Sequence, residues 1–175
     1  LANKNGDTGA GLERVTTVVQ GKQSIFETDI FADVIENIKK QSKNYNEKSA
    51  RIIADHLRSS TFLISDGVRP GNKDQGYILR RLIRRAIFNM NTLGLPAVAA
   101  SEVIGKYVET YSDYYPQLSS DSIQKTFDEE EQKFSTTLSD GKKEFEKGID
   151  PFVLATTYGF PIELTEELAK ERGII

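Results

Sequence analysis

Cysteine is absent from all 175 residues. That excludes a disulfide framework and a thiolate metal site. One histidine and scattered carboxylates do not make up a zinc ligand set. No apolar run approaches the roughly 20 residues a membrane span needs. The opening LANKNGDTGAGLERV has no basic flank followed by an apolar block, so it does not read as a signal peptide. These absences point to a cytoplasmic chain without a membrane partner. Strict apolar–polar alternation is scarce, so strands should be rare. Only Leu1 to Thr8 lacks helical period and reads as the end of a strand, whose sheet partners the chain does not supply. There is no internal repeat and no low-complexity tract. An overall basic excess is also missing: the net charge is −3, which taken alone argues against a nucleic-acid partner.

What is present is an ordinary globular composition, 38% hydrophobic and 28% charged, in a chain long enough for one domain with a core and part of another. Breakers divide it into helices. Gly9, Gly11 and Gly21 bracket LERVTTVVQ. Thr28 or Asp29 is a candidate cap for FADVIENIKKQ. A periodic helix should run from Glu47 to Ser65 and stop at Asp66-Gly67. VRPGNKDQG is a loop by composition. A second long helix should span Tyr77 to Leu93 and end at Gly94-Leu95-Pro96. Further helices are predicted over Ala97–Tyr111 and Ser122–Lys147, the latter with Ile123, Phe127, Phe134, Leu138 and Phe145 as its apolar stripe. A short one starts at Pro151, and a last one is opened by Thr165 and closed by Gly173. The fold class is therefore all-α, built of helical hairpins and crossing helices.

The local charge is uneven. Between Arg69 and Arg85 stand Arg69, Lys73, Arg80, Arg81, Arg84 and Arg85 against one acid, Asp74. A local basic face decides phosphate binding, not the sum over the chain. With Arg80 at zero on a helical wheel, Arg84, Arg81 and Arg85 fall at about 40°, 100° and 140°. Tyr77 and Phe88 fall at about 60° and 80° in the same arc. Ile78, Leu79, Leu82, Ile83, Ala86, Ile87 and Met90 take the opposite side as a core stripe. Four like charges on one face weaken an isolated helix, and no acid sits at helical spacing to relieve them. Guanidiniums match phosphate oxygens as planar forks, and an aromatic ring among them suits RNA. The competing reading pairs these arginines with acids from another helix, the Glu129–Glu131 cluster being the candidate. Asn72, on the PGN turn before this helix, carries a donor and an acceptor that suit a base edge, although Asn in such a turn has an ordinary conformational role as well.

Other residues read more plainly. DTGAGLER places Asp7, Gly9, Gly11 and Arg14 where a glycine turn meets a helix start, a weak phosphate-binding pattern. His56 falls on the apolar arc of its helix and reads as a core histidine bonded to a backbone carbonyl. Arg51, Asp55 and Arg58 lie opposite and read as a surface ion-pair row. Asp128 to Glu131 reads as a solvated acidic run.

In order, DTGAGLERV, ETDIF, RIIADHLRSSTFLISDGVRPGN, GYILRRLIRRAI, EEEQKFSTTLSDG and TYGFPIELTEELAKERG resemble the alanyl-tRNA synthetase family, from about Asn3 to Gly173. The stretch from about Ala97 to Ser120 is the least specific. The resemblance implies that DTGAGLER is the third signature motif of class II synthetases. Asp7 would then hold the amino group of alanine, Gly9 would line the small side-chain pocket, and Arg14 would contact ATP, with Gly11 in the same turn. It implies a remnant of the aminoacylation domain over residues 1–20 and a helical acceptor-stem recognition domain over 21–175. In the family, the Asn of the PxN loop, here Asn72, reads the G3·U70 pair of tRNA(Ala). The tRNA contacts would come from Arg69, Lys73, Tyr77, Arg80, Arg81, Arg84 and Arg85. Ala155 and Thr156 stand where the family usually has Tyr and Asp, and Thr156 can share recognition of the wobble pair only as a neutral acceptor. Gly6 replaces the usual Val or Ile before Asp7. The first two class II motifs and the editing and C-terminal regions are absent. The parent would be an ATP- and Mg2+-dependent ligase for alanine and tRNA(Ala); this piece alone would bind neither cofactor and be inactive. The alternatives are a free-standing helical RNA-binding module and a helical protein-interaction scaffold.

Overall fold

A computed structural model describes residues 8–157 and 160–173, apart from the side chains of Thr156, Glu163, Glu167 and Glu171. Asp7, Gly6 and most of the stretch read as a strand end lie outside the described residues. Among those described there are eight α-helices and no strand. They are α1 (Leu12–Val19), α2 (Ala32–Gln41), α3 (Glu47–Ser65), α4 (Asp74–Leu93), α5 (Ala99–Tyr111), α6 (Ser120–Glu146), α7 (Pro151–Thr157) and α8 (Ile162–Glu171). The all-α expectation holds.

The α3–α4 hairpin is the centre of the core. α3 starts where Asn46 accepts a hydrogen bond from Ser49 N, an N-cap that the polar connector supplies. α4 stops at Gly94, whose φ of 64° is left-handed, the helix stop expected of Gly-Leu-Pro. The Leu93 carbonyl accepts from both Lys43 N and Asn44 N, which ties the end of α4 to the start of α3 and closes the hairpin antiparallel. Ile53, Ala54 and Leu57 on α3 meet Leu79, Ile83, Ala86 and Ile87 on α4, all fully or nearly fully buried. α5 packs across with Tyr107, whose hydroxyl donates to the Ala54 carbonyl at 2.9 Å. Burial pushes that hydroxyl's pKa far above its ordinary value, so it stays a donor.

Several details differ from the sequence reading. α5 begins at Ala99 rather than Ala97 and α6 at Ser120 rather than Ser122. α4 begins at Asp74 rather than Tyr77, so the loop Asp66–Lys73 is shorter and Gly76 lies in the first helical turn. α8 begins at Ile162, directly after Pro161, rather than at Thr165. α2 has no side-chain cap. Thr28 instead bonds the Ile25 carbonyl, closing a short 3-10 turn at Ile25–Glu27.

α6 and the α7–α8 region make a close contact at Gly141, besides the Arg172–Glu146 ion pair at 3.0 Å. A Cβ on Gly141 of α6 would lie 2.1 Å from the Phe160 ring. Glycine at that position is what allows the Phe of TYGFP to lie fully buried against the helix. This contact places α7 and α8 beside the arginine face of α4.

Candidate nucleic-acid interface

The loop before α4 is closed tightly. Gly71 N donates to the Gly76 carbonyl at 2.9 Å. A Cβ on Gly76 would come within 2.7 Å of the Arg69 carbonyl oxygen, so only glycine fits that approach. Asp74 takes a left-handed φ of 49°. Arg69 turns its guanidinium back onto the Ile64 and Val68 carbonyls, at 3.2 and 3.1 Å. It therefore adds a second donor to the Ile64 carbonyl, which also accepts from Gly67 N at 3.0 Å, and ties the loop carbonyl of Val68 to it. Asn72 and Lys73 are exposed, and the Asn72 amide oxygen accepts a hydrogen bond from Arg80 Nη1.

On α4 the arginine arc is present, but its members differ. Arg80 lies over the Tyr77 ring, 6.0 Å from its centroid, and both are at least partly exposed. Arg81 is exposed and Arg85 half-buried, and each has interaction partners. Arg84 is different. Its Nε donates to Glu130 Oε1 at 2.6 Å, with side-chain exposures of 17% and 5%, and its guanidinium lies over the Phe134 ring at 5.0 Å. For Arg84 the competing reading holds: an acid of α6 pairs with it. Glu130 is not part of a solvated run. It falls on the same stripe as Ile123, Phe127 and Phe134, all buried, a register already present in the helical spacing.

α6 covers the second half of α4. Phe88 is 1% exposed and lies under the Lys142 ammonium at 5.3 Å, so it is core and not an exposed neighbour of the arginines. Ile78, assigned to the core stripe, is 49% exposed although Leu79 beside it is fully buried, because at about 100° per residue Ile78 falls next to Arg85 at the edge of the apolar face. His56 is partly buried, as its arc implied, but Nδ1 meets Asp55 Oδ2 at 2.9 Å rather than a backbone carbonyl. Arg58 is not in a surface row. It is packed among Phe31, Phe62 and Tyr111, within 5.3 to 5.8 Å of each ring centroid. It also bonds the Tyr111 hydroxyl and Glu13.

The arginine face forms one wall of a groove of about 460 Å³. Tyr77, Arg80, Arg81, Arg84 and Arg85 line it from α4; Phe152, Ala155, Phe160, Pro161, Ile162 and Leu164 line it from the α7–α8 region. Of those apolar residues only Ala155 was singled out by sequence reasoning, although TYGFP stood out as a motif. Ala155 leaves space on this wall where a larger side chain would fill it. Thr156 lies on α7, with its side chain outside the described set. At the other end of the chain, Gly11 caps α1, Gly9 is open to its surroundings, and Arg14 is exposed. Among the described residues, no cluster of three His, Cys, Asp or Glu could hold a metal ion, and no helix is long and apolar enough to cross a membrane.

A family model described as tRNA synthetases class II (A) matches residues 1–175. The chain is 41% identical over 194 residues to an alanine–tRNA ligase of Streptococcus pyogenes serotype M12 (strain MGAS2096), covering 99% of this chain and 22% of that protein. It is similar to the same degree, with the same coverage, to an alanine–tRNA ligase of Streptococcus thermophilus (strain ATCC BAA-491 / LMD-9). An alanine–tRNA ligase of Lacticaseibacillus paracasei (strain ATCC 334) is 42% identical over 196 residues, covering 98% of this chain and 22% of that protein. The chain thus spans about 22% of the length of these curated relatives.

Proposed function

The chain belongs to the class II (A) tRNA synthetases, and from that premise we propose that it is the acceptor-stem-binding region of an alanine–tRNA ligase. The longer protein would attach alanine to tRNA(Ala) in the cytoplasm, using ATP and Mg2+. Residues 1–20 would be the edge of its aminoacylation domain and residues 21–175 the helical region that holds the stem. On this reading Asp7 and Gly9 belong to the alanine site. Arg14, exposed at the first turn of α1, and the turn at Gly11 would face ATP. The described residues offer ATP one guanidinium at a helix start, which fits a partial site completed elsewhere in the polypeptide.

One observation carries the proposal: Tyr77 and four arginines of α4 line a single groove, with Asn72 bonded to the first of those arginines. Guanidiniums along the wall would contact backbone phosphates and fix register, and Asn72 would read a base edge. A G·U wobble pair exposes the guanine amino group in the shallow minor groove, and a carbonyl oxygen is its complement. Lys73 and Arg69 would flank that contact, and Thr156 would add a neutral acceptor where the family usually has a carboxylate.

The test is titration of this chain with acceptor-stem RNA carrying G3·U70 or G3·C70. Wild type should prefer the wobble stem, and Asn72→Ala should erase most of that preference. Equal losses on both stems would remove Asn72 from recognition. The Arg84–Glu130 pair favours a second reading, a helical scaffold in which arginines serve protein contacts. Indifference to RNA at low salt would support that one.

A further inference from the structure

The bond between Arg80 and Asn72 has a chemical direction. A guanidinium has donors and no acceptor, whereas a side-chain amide has one end of each kind. The atom of Asn72 that meets Arg80 Nη1 must therefore be the oxygen, whichever way the amide would otherwise be assigned. Turning the amide over would set its NH2 against a cationic donor. Arg80 is itself steadied by the Tyr77 ring. The loop is held by the Gly71–Gly76 backbone bond and by the close approach of Gly76 to the Arg69 carbonyl. Asn72 is exposed, so without this bond its amide would turn freely and offer a donor as readily as an acceptor.

We infer that Arg80 is a positioning residue that fixes the amide orientation of Asn72 and so makes Asn72 an oriented reader of the wobble pair. This rests on the reading of Asn72 proposed above. A carbonyl oxygen has two lone pairs; Arg80 takes one, and the second stays available to a guanine amino group. In a G·C pair one proton of that amino group is bound to cytosine, whereas in a wobble pair it is not. An amide free to turn would meet the acceptors of either minor groove with its NH2 and lose the distinction. Arg80 thus acts on specificity through Asn72, while its helical neighbours act on affinity.

The experiment measures binding of fluorescent acceptor-stem RNA, with G3·U70 or G3·C70, to this chain as wild type, Asn72→Ala, Arg80→Ala, Arg80→Lys and the Arg80→Ala/Asn72→Ala double variant. Melting curves check that each is folded. Asn72→Ala should reduce the preference for the wobble stem by roughly tenfold. Arg80→Ala should remove most of the same preference, and the double variant should lose no more than Asn72→Ala alone, because two residues in one contact are not additive. Arg80→Lys, with a flexible point donor, should fall between. If Arg80→Ala weakens both stems equally and lowers the salt slope by about one, Arg80 is a phosphate contact and the inference is overturned while Asn72 keeps its role. If Asn72→Ala leaves the preference intact, or wild type shows none, the reading of Asn72 fails first.

Discussion

Arg84 shows how one residue in an apparently uniform row can differ from its neighbours. Sequence spacing makes it a member of the basic face, and it does line the groove. Yet Glu130, buried in the apolar stripe of α6, holds it from behind. A carboxylate that deep is tolerated because it is paired. Removing it would leave the Arg84 charge partly desolvated and alone. Glu130→Ala should cost about 3 kcal/mol in urea denaturation. Glu129→Ala, one position away and exposed, should stay within about 0.5 kcal/mol of wild type. Similar costs for the two would mean that the ion pair contributes little. Phe88 gives the same lesson. Its position on the wheel is correct and its neighbourhood is not, because α6 covers that part of α4.

Helix-to-helix contacts depend on a few close approaches. α6 meets the α7–α8 pair where Gly141 lies under Phe160. Gly141→Ala places a methyl group in space already filled by the ring. Overpacking of this kind costs about 1–3 kcal/mol, more than the helix gains from replacing glycine. Thermal melting should therefore show destabilisation where propensity alone predicts stabilisation. A second link joins α1 to the core through Glu13 and Arg58. Its own backbone N–H and the Arg58 charge hold the Glu13 carboxyl below its ordinary range, against opposing burial. Burial works against the Arg58 charge, but the bonds to Tyr111 and Glu13 outweigh it and raise its pKa. Because the folded-state value of Glu13 is depressed, its contribution is present above the ordinary glutamate value of about 4.3 and is lost as pH falls through the lower folded value. The stability gap between wild type and Glu13→Gln should be open at pH 7 and close below about pH 4. A gap that persists unchanged into acid would rule out the carboxylate as its source.

Across the whole molecule, a net charge of −3 coexists with a groove whose α4 wall carries four arginines. RNA affinity should fall steeply with added salt, as counterions are displaced from phosphates. Arg81→Ala should weaken both stems alike and make that dependence shallower by about one. A flat salt response would mean that the groove is not an electrostatic site. α1 presents Leu12, Val15, Val18 and Val19 to solvent at 47% exposure or more.

The helices, their glycine and proline stops and the arginine arc of α4 were legible in the sequence, because each depends on residues within a few turns of one another. So was the extent of α3, whose predicted bounds match the observed ones. That Arg84 pairs with Glu130, why Phe88 is buried, how Phe160 lies on Gly141 and why Arg58 sits among aromatic rings were settled only by tertiary structure. Helical periodicity describes the faces of one element, whereas these contacts join residues distant in sequence, and a one-dimensional pattern does not say which face meets which. Asn72 lies between the two cases: its loop is local, but the orientation of its amide is set by a guanidinium two turns into the next helix.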